Sequence, residues 1–336
     1  MDELIRLEHG SGGELSRKLV EEVIHPYLRC PASADLPDAA RLDLAGPIAL
    51  TTDSYVVDPL FFPGSDIGRL AVFGTCNDLA VSGARARALS LALVLEEGLP
   101  FTVLRRVLAS VQAAAAEAGV EVVTGDTKVV GLASPERDPG LHITTAGVGE
   151  VVFGSLGRSA VRPGDRLIVS GPLGAHGVAV LAARENLSVA AGIRSDCALL
   201  WPLADLLFAL GPAVRFLRDA TRGGLAAVAN ELCRGTGFGV VLRERDVPSD
   251  PDVAIALELL GLDALEVANE GVLVAVVAPE AADAAVASLR SLPTAPRAAI
   301  VGEITSDGPG RVVLETRIGG RRFVDFPRGL LLPRIC

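Results

Sequence analysis

Residues 124–130, Thr-Gly-Asp-Thr-Lys-Val-Val, carry the most suggestive chemistry of the chain. They follow an apolar, strand-like run, and Gly125 predicts a turn from which Asp126, Thr127 and Lys128 project together. Lys128 and Lys18 are the only lysines in a chain whose other basic residues are arginines. A lysine suits phosphate contact or base chemistry, whereas the alternative is an ordinary surface turn.

Three aspartates, Asp53, Asp78 and Asp126, each lie at or near the end of an apolar element. Carboxylates in such places gather hard cations, and Mg²⁺ is the natural choice when phosphates complete its oxygen shell. The alternative is that each aspartate caps a helix or a turn. The three together favour the cation site.

Two glycine-rich stretches are candidates for anion binding. Residues 7–13 contain Gly10, Gly12 and Gly13 ahead of a helix predicted at 14–28, although a flexible arm explains this loop equally well. Residues 219–224, Asp-Ala-Thr-Arg-Gly-Gly, begin another helix and place Arg222 beside its start, which favours phosphate binding.

Strands and helices alternate along both halves of the chain, which indicates an α/β or α+β protein. One strand is predicted at 48–52, ending at Asp53, and a helix begins after Asp66, with Asp78 near its far end. The pattern restarts near 158–165. We therefore predict three parts, with the boundaries 1–155, 156–316 and a tail at 317–336.

The composition limits the classes of function. The chain has 336 residues, is 50% hydrophobic and has a net charge of −10, so neither nucleic acid nor an anionic membrane is expected as its main partner. No secretory signal or spanning segment is predicted. Five scattered cysteines without a C-x-x-C pair fit the cytoplasm and neither a disulfide framework nor structural zinc.

The tail ends in Cys336 and contains Pro327, Gly329 and Pro333, which discourage regular structure. We predict a mobile strip with a thiol at its tip, long enough to reach a site in the body of the protein. The alternative is a chance cysteine on a frayed end.

Several of these motifs together resemble the HypE family of [NiFe]-hydrogenase maturation factors, the carbamoyl dehydratases. The resemblance covers essentially the whole chain, and Pro-Arg-Ile-Cys at 333–336 is its most specific part; the aspartate motifs are shared with a wider superfamily that includes aminoimidazole ribonucleotide synthetase. Ser65 departs from the pattern, because the family usually has a glycine there. The matching stretches are residues 7–13, 51–54, 63–68, 74–84, 125–130, 219–224, 269–271 and 332–336.

The resemblance implies a fold and a set of partners. It implies a homodimer in which the N-terminal domains form a shared β-barrel, followed by a C-terminal α/β domain and the tail. A carbamoyltransferase, HypF, would load Cys336 with a carbamoyl group, which the protein would dehydrate to a thiocyanate. Cyanide would then pass to a HypC–HypD scaffold complex.

The resemblance also implies site residues. Cys336, Lys128 and Glu270 would be catalytic, with Glu270 and Lys128 removing protons from the amide nitrogen. ATP would transfer its γ-phosphoryl group to the thiocarboxamide oxygen, which otherwise leaves poorly. Mg²⁺ would be held by Asp53, Asp78 and Asp126, and the nucleotide would also contact Asn77, Gly10, Gly12, Gly13 and Arg222.

Two other functions stay open on the sequence. A small-molecule kinase or synthetase of the same superfamily would use the same aspartates, although it does not need Cys336. Selenophosphate synthetase is disfavoured because Cys30 lies well beyond the N-terminal glycine loop. The other possibility is a non-enzymatic nucleotide-binding scaffold that carries the tail. Turnover of ATP with a carbamoylated tail would separate the dehydratase from both alternatives.

Overall fold

The computed structural model describes residues 4–33, 39–132, 137–190, 192–327 and 335–336. Two β-sheets, one from each half of the chain, carry most of the strands. Helices pack against both sheets, and the two halves meet along a continuous hydrophobic core that includes the end of the tail. The predicted mixture of strands and helices is confirmed.

The strands run in chain order from the N-terminal half to the tail. They are β1 (Ile48–Tyr55), β2 (Phe61–Phe62), β3 (Ser65–Asp66), β4 (Ala84–Glu96), β5 (Glu121–Val130), β6 (Leu141–Val151), β7 (Arg166–Val169), β8 (Val214–Asp219), β9 (Gly239–Arg243), β10 (Leu273–Val277), β11 (Ala299–Thr305), β12 (Val312–Glu315) and β13 (Arg321–Phe323).

Two of the helices precede β1, and the others lie between the strands. They are α1 (Glu14–Lys18), α2 (His25–Leu28), α3 (Ile67–Val81), α4 (Phe101–Ala118), α5 (Ala175–Glu185), α6 (Trp201–Phe208), α7 (Gly224–Cys233), α8 (Pro251–Leu260) and α9 (Ala282–Arg290). A π-helical segment, Leu19–Ile24, joins α1 to α2, so the helix predicted at 14–28 forms with a wider middle turn. Asp66 caps α3 as predicted, because its carboxylate accepts hydrogen bonds from the backbone N–H of Gly68 and Arg69.

The N-terminal sheet has the order β1-β6-β4-β5, with β4 and β5 parallel and the other pairs antiparallel. Helices α3 and α4 cover one face and bury the leucines of β4. The other face is open in the single chain. On this face the Leu50 side chain, in β1, is 72% exposed.

The segment around Gly125 is not a turn, contrary to the sequence prediction. β5 continues without a break to Val130, and Gly125 is needed because a Cβ there would lie 2.2 Å from the carbonyl oxygen of Leu91. Residues directly opposite in neighbouring strands share a face, and the register carries Asp53 through Thr145 and Leu91 to Gly125. Side chains alternate along a strand, so Asp126, one residue further along β5, lies on the open face of the sheet. Asp53 lies on the other face.

The C-terminal sheet has the order β13-β12-β9-β11-β7-β10-β8. Only β9 and β12 are parallel among its described strands. β10 lies between β7 and β8 and is buried along its whole length, as its run of leucine, valine and alanine predicts. β8 ends at Asp219, so the first turn of α7 is brought to the side of the sheet that faces α3.

The tail begins as regular structure, which differs from the irregular strip that was expected from residue 317. β13 pairs with β12, and Val324 is buried with its N–H donating to Val312. Arg328, Gly329 and Pro333 lie outside the described residues. None of the helices in the described ranges is long and apolar enough to cross a membrane.

Candidate active site

A cavity of about 370 Å³ lies where β1 and α3 of the N-terminal half meet β8 and the start of α7. Four acidic side chains and one thiol line it together with two arginines. The lining residues that carry chemistry are Asp53, Asp78, Asp219, Glu270, Cys336, Arg218 and Arg222. The structure thus brings together five residues that the sequence singled out: Asp53, Asp78, Arg222, Glu270 and Cys336.

Asp53 and Asp78 are held by hydroxyl groups of β1. The Thr51 hydroxyl donates to Asp78 Oδ2 at 2.8 Å, and the Tyr55 hydroxyl donates to Asp53 Oδ2 at 3.2 Å. Burial raises the pKa of Asp78, the hydrogen bond from Thr51 opposes this, and the charge of Asp53 raises it further. Asp53 lies within β1 rather than beyond it, because the strand continues to Tyr55.

Asp219 and Glu270 close the other side of the cavity. Burial, reinforced by the charge of Asp78, raises the pKa of Asp219 to about 7. Burial and then the charge of Asp219 raise the pKa of Glu270 well above its usual value. Asp53, Asp78 and Asp219 each hinder the ionisation of a neighbouring acid, and a cation among them would relieve this.

This acid set fits a hard divalent cation. Asp53, Asp78 and Asp219 carry carboxylate oxygens, the ligand type that Mg²⁺ prefers, and phosphates would complete the shell. Within the described residues, however, no three His, Cys, Asp or Glu side chains are close enough together to hold a metal ion by themselves. A cation bound here would need further ligands, such as phosphate oxygens.

Asp196 organises the backbone behind Glu270. Its carboxylate accepts hydrogen bonds from the N–H groups of Glu270, at 3.3 Å, and Gly271, at 3.2 Å. Burial raises the pKa of Asp196 to about 6. These hydrogen bonds, and one from the N–H of His176, act in the other direction and lower it. Gly271 is required for the close approach, because a Cβ there would lie 1.8 Å from the carbonyl oxygen of Asp196.

The tip of the tail is docked in the protein. The backbone N–H of Val56 donates to the carbonyl oxygen of Cys336 at 3.1 Å, and the Ile335 side chain is only 4% exposed. His176 Nε2 contacts the Ile335 carbonyl oxygen at 2.8 Å. Burial, and after it the charge of Glu270, raises the pKa of the Cys336 thiol to about 12. The positive charge of Arg222 acts in the other direction and lowers it. The docked thiol is thus protonated at neutral pH.

Asp126 and Lys128 lie elsewhere in the single chain. Lys128 Nζ pairs with the Asp126 carboxylate at 2.7 Å on the open face of the N-terminal sheet, and both side chains are about 60% exposed. The lysine holds the pKa of Asp126 below its usual value. Gly10 packs against Val129, so the glycine-rich loop lies beside the part of β5 that carries Asp126 and Lys128. Gly12 and Gly13 are exposed in the same loop.

Asn77 has a structural role. Its Nδ2 donates to the carbonyl oxygen of Ala198 at 2.9 Å, and its Oδ1 accepts from the N–H of Leu200 at 2.7 Å. The side chain thereby ties α3 to the segment that contains Asp196. A nucleotide contact of Asn77 stays a prediction, and its amide already has partners inside the protein.

Three residues near the cavity escaped the sequence analysis. Asp219 was noticed as the start of a helix, and its place at the end of an apolar strand, like that of the other aspartates, could have marked it as a ligand. Asp196 and His176 gave no signal, because their function depends on contacts between segments that are distant along the chain.

Known proteins share both halves of this architecture. Residues 37–151 match the N-terminal domain model of AIR synthase related proteins, and residues 162–315 match the C-terminal domain model of the same class. These matches, with the acidic cavity between the two halves, define the chain as an AIR synthase related protein.

More specific similarity covers the full chain. The carbamoyl dehydratase HypE of Rhodobacter capsulatus is 46% identical over 339 residues, which is 100% of this chain and 99% of that protein. A crystal structure of hydrogenase maturation protein HypE in complex with ATP matches with a TM-score of 0.93 at 43% identity, covering 98% of this chain and 99% of that one. The chain of a HypE–HypF complex matches with a TM-score of 0.79 at 41% identity, covering 92% and 99%. The chain belongs to the HypE family of carbamoyl dehydratases.

Proposed function

We propose that this protein uses ATP to dehydrate an S-carbamoyl group on Cys336 to a thiocyanate, as a step in [NiFe]-hydrogenase maturation. The observation that carries the proposal is the position of the Cys336 thiol in a cavity lined by Asp53, Asp78, Glu270 and Arg222. Full-length similarity to carbamoyl dehydratases supports it. A small-molecule kinase would have no use for a thiol held in this cavity.

ATP and Mg²⁺ are the expected co-substrate and cation. The similar HypE structure in complex with ATP supports nucleotide binding here. Asp53, Asp78 and Asp219 are proposed to hold Mg²⁺, which supplies charge neutralisation and orientation for phosphates when it is bound. Arg222 lies in the same cavity and is suited to a phosphate oxygen.

The chain's own residues supply the proton chemistry. Formation of a nitrile requires the loss of the amide protons, and phosphorylation of the carbamoyl oxygen makes that oxygen a competent leaving group. Glu270 is proposed as the base that takes a proton. Burial and the neighbouring acids raise its pKa, and a cation held by those acids would favour the ionised carboxylate that a base requires. Asp196 holds the Glu270 backbone for this transfer.

Loading of the thiol requires another position of the tail. A thiol with a pKa of about 12 is a poor nucleophile, because the thiolate is the reactive form. The docked position therefore suits dehydration and not loading. HypF is proposed as the loading partner, which the HypE–HypF complex of a 41% identical chain supports. The HypC–HypD scaffold as cyanide acceptor follows from the family resemblance.

A homodimer would bring together the predicted site residues that lie apart in the single chain, namely those of the cavity and the pair Asp126 and Lys128. The open face of the N-terminal sheet exposes Leu50 and Ile48, and apolar side chains on such a face favour a protein partner. Leu50 and Ser54 of this face also line the cavity. A two-fold axis places the same face on both copies, so Lys128 and Asp126 of the partner subunit would approach the rim of the cavity. We infer that each site takes its lysine from the partner subunit.

The cytoplasm is the proposed compartment. All five cysteines are free, and four of them are buried, so none forms a disulfide. Thiol chemistry at Cys336 requires a reducing environment.

Mass spectrometry of the intact protein after incubation with HypF, carbamoyl phosphate and Mg-ATP tests the proposal. The wild-type protein should gain a carbamoyl group and then lose one water, with both changes mapped to Cys336. Cys336→Ala should bind Mg-ATP and show neither change, whereas the matched controls Cys30→Ala and Cys233→Ala should show both. Dehydration without the Cys336 thiol, or phosphorylation of a small acceptor at a high rate, would favour the kinase.

A further inference from the structure

His176 is a buried imidazole at the start of α5 whose contacts the proposed chemistry does not explain. Its Nδ1 contacts Ser195 Oγ at 2.9 Å, and its Nε2 contacts the Ile335 carbonyl oxygen at 2.8 Å. The ring also meets Phe62 edge to face, with centroids 5.5 Å apart. Both polar atoms of the imidazole are therefore committed, and one of them holds the tail.

The contacts define which nitrogen carries the proton. A carbonyl oxygen can only accept, so Nε2 is the N–H donor to Ile335. Nδ1 is then the acceptor and receives the Ser195 hydroxyl proton. Burial lowers the pKa of His176 to about 4, so the ring stays in this neutral form at physiological pH. Ser195 is itself fixed, since its N–H donates to the carbonyl oxygen of Pro63 at 2.8 Å.

The same loop orients the tail and the proposed base. Ser195 holds the imidazole, and its neighbour Asp196 accepts the N–H groups of Glu270 and Gly271. The same short segment of chain thereby fixes the position of the docked tip and that of the Glu270 backbone. Any carbamoyl group on Cys336, one residue beyond Ile335, would be presented to Glu270 with little freedom.

We propose that His176 is a positioning residue that holds the Ile335–Cys336 tip in the cavity during dehydration. This rests on the proposed function only for its effect on catalysis, because the effect on docking of the tail exists without it. Since the hydrogen bond forms only when the tail is docked, His176 acts on the dehydration step. Loading by a partner, which takes place with the tail away from the cavity, does not use it.

Two substitutions separate positioning from folding. His176→Phe keeps an aromatic ring against Phe62 and removes both hydrogen bonds. His176→Gln keeps an N–H donor at a reach similar to that of Nε2. His25→Phe is the matched control, because His25 Nε2 also contacts a backbone carbonyl oxygen, that of Ser33 at 3.1 Å, away from the tail.

Three measurements are made on each full-length variant: the rate of Cys336 alkylation by iodoacetamide, the single-turnover rate of dehydration after loading, and the affinity for Mg-ATP. Loss of one hydrogen bond predicts for His176→Phe a roughly tenfold faster alkylation and a roughly tenfold slower dehydration, with loading and nucleotide affinity unchanged. His176→Gln should recover most of both rates, and His25→Phe should match the wild type.

Wild-type alkylation and dehydration rates in His176→Phe would overturn the proposal. A parallel loss of loading, nucleotide affinity and thermal stability would also overturn it, because His176 would then be a folding residue. The alkylation measurement needs neither HypF nor ATP. If the wild-type protein is never carbamoylated while His176→Phe still exposes Cys336, the proposed function fails and the docking role stands.

Discussion

The carboxylate of Asp196 accepts the backbone N–H of Glu270 at 3.3 Å, so a half-buried acid fixes the position of a buried one without touching its side chain. The same carboxylate accepts the N–H of Gly271. Asp196 is not among the residues that line the cavity. We therefore expect its contribution to the reaction to be the placement of Glu270.

Asp196→Asn tests this placement. The amide would turn a donor toward backbone N–H groups, at a cost of about 1–3 kcal/mol for the unpaired groups. We expect a lower melting temperature and a dehydration rate reduced by roughly an order of magnitude, with loading of Cys336 unchanged. Chemical denaturation and single-turnover mass spectrometry measure the two effects. Asp205→Asn, at an exposed position, should change neither, and an unaltered dehydration rate in Asp196→Asn would contradict the placement role.

Stability without divalent cations should fall as the pH rises. The folded state raises the pKa of Asp219 from 3.8 to about 7, so it binds the proton more tightly than the unfolded chain. This contribution is complete below about pH 4 and is lost as the pH rises to 7, by roughly 4 kcal/mol at most. The melting temperature of Asp219→Asn should depend less on pH across this window, and Mg²⁺ should raise that of the wild type at pH 8. Identical pH profiles for the two proteins would refute the assignment.

Asp78→Asn should remain folded and bind Mg-ATP at least tenfold more weakly, because the cavity loses one of the charges that attract the cation. Asp126→Asn should weaken binding as well if the partner subunit completes the site. Isothermal titration calorimetry measures both. Wild-type affinity in Asp78→Asn would mean that this aspartate only caps structure, and wild-type affinity in Asp126→Asn alone would remove Asp126 from the nucleotide site.

Glu270→Gln should accept the carbamoyl group and stall before the nitrile, and Lys128→Ala should be impaired as well. If each site combines Glu270 of one subunit with Lys128 of the partner subunit, co-expression of the two variants should restore activity. Random assembly makes half of the dimers mixed, with one intact site each, so about a quarter of the wild-type activity is expected. No recovery in mixed dimers would show that both residues act within one chain.

Leu50→Glu should dissociate the proposed dimer, because a charge would be buried in an apolar interface. Analytical ultracentrifugation reports the mass. Leu259→Glu is the control, since Leu259 is exposed to a similar degree, 66%, on α8 of the other half. A dimeric Leu50→Glu protein would exclude the open face as the interface.

Local patterns predicted much of this fold, including the Asp66 cap, the apolar strand β10 and the helix after Arg222. They failed at Gly125, where a glycine was interpreted as a turn but serves the close approach of two strands. Because side chains alternate along a continuous strand, Asp126 lies on the open face and not beside Asp53, with which it was expected to share a cation site. The partnerships of Asp196 and His176 were beyond prediction, since hydrogen bonds between distant segments leave no periodic trace in the sequence.

The docked tail makes the substrate of the reaction part of the catalyst. Cys336 is joined covalently to β13, so a carbamoyl group on it experiences the cavity at an effective concentration in about the millimolar range, whatever the dilution of the protein. Dehydration should accordingly be a first-order process without a Michaelis constant for the carbamoyl group. Loading, by contrast, needs an encounter with another protein, so supply of HypF and not abundance of a free metabolite would limit the flux of cyanide.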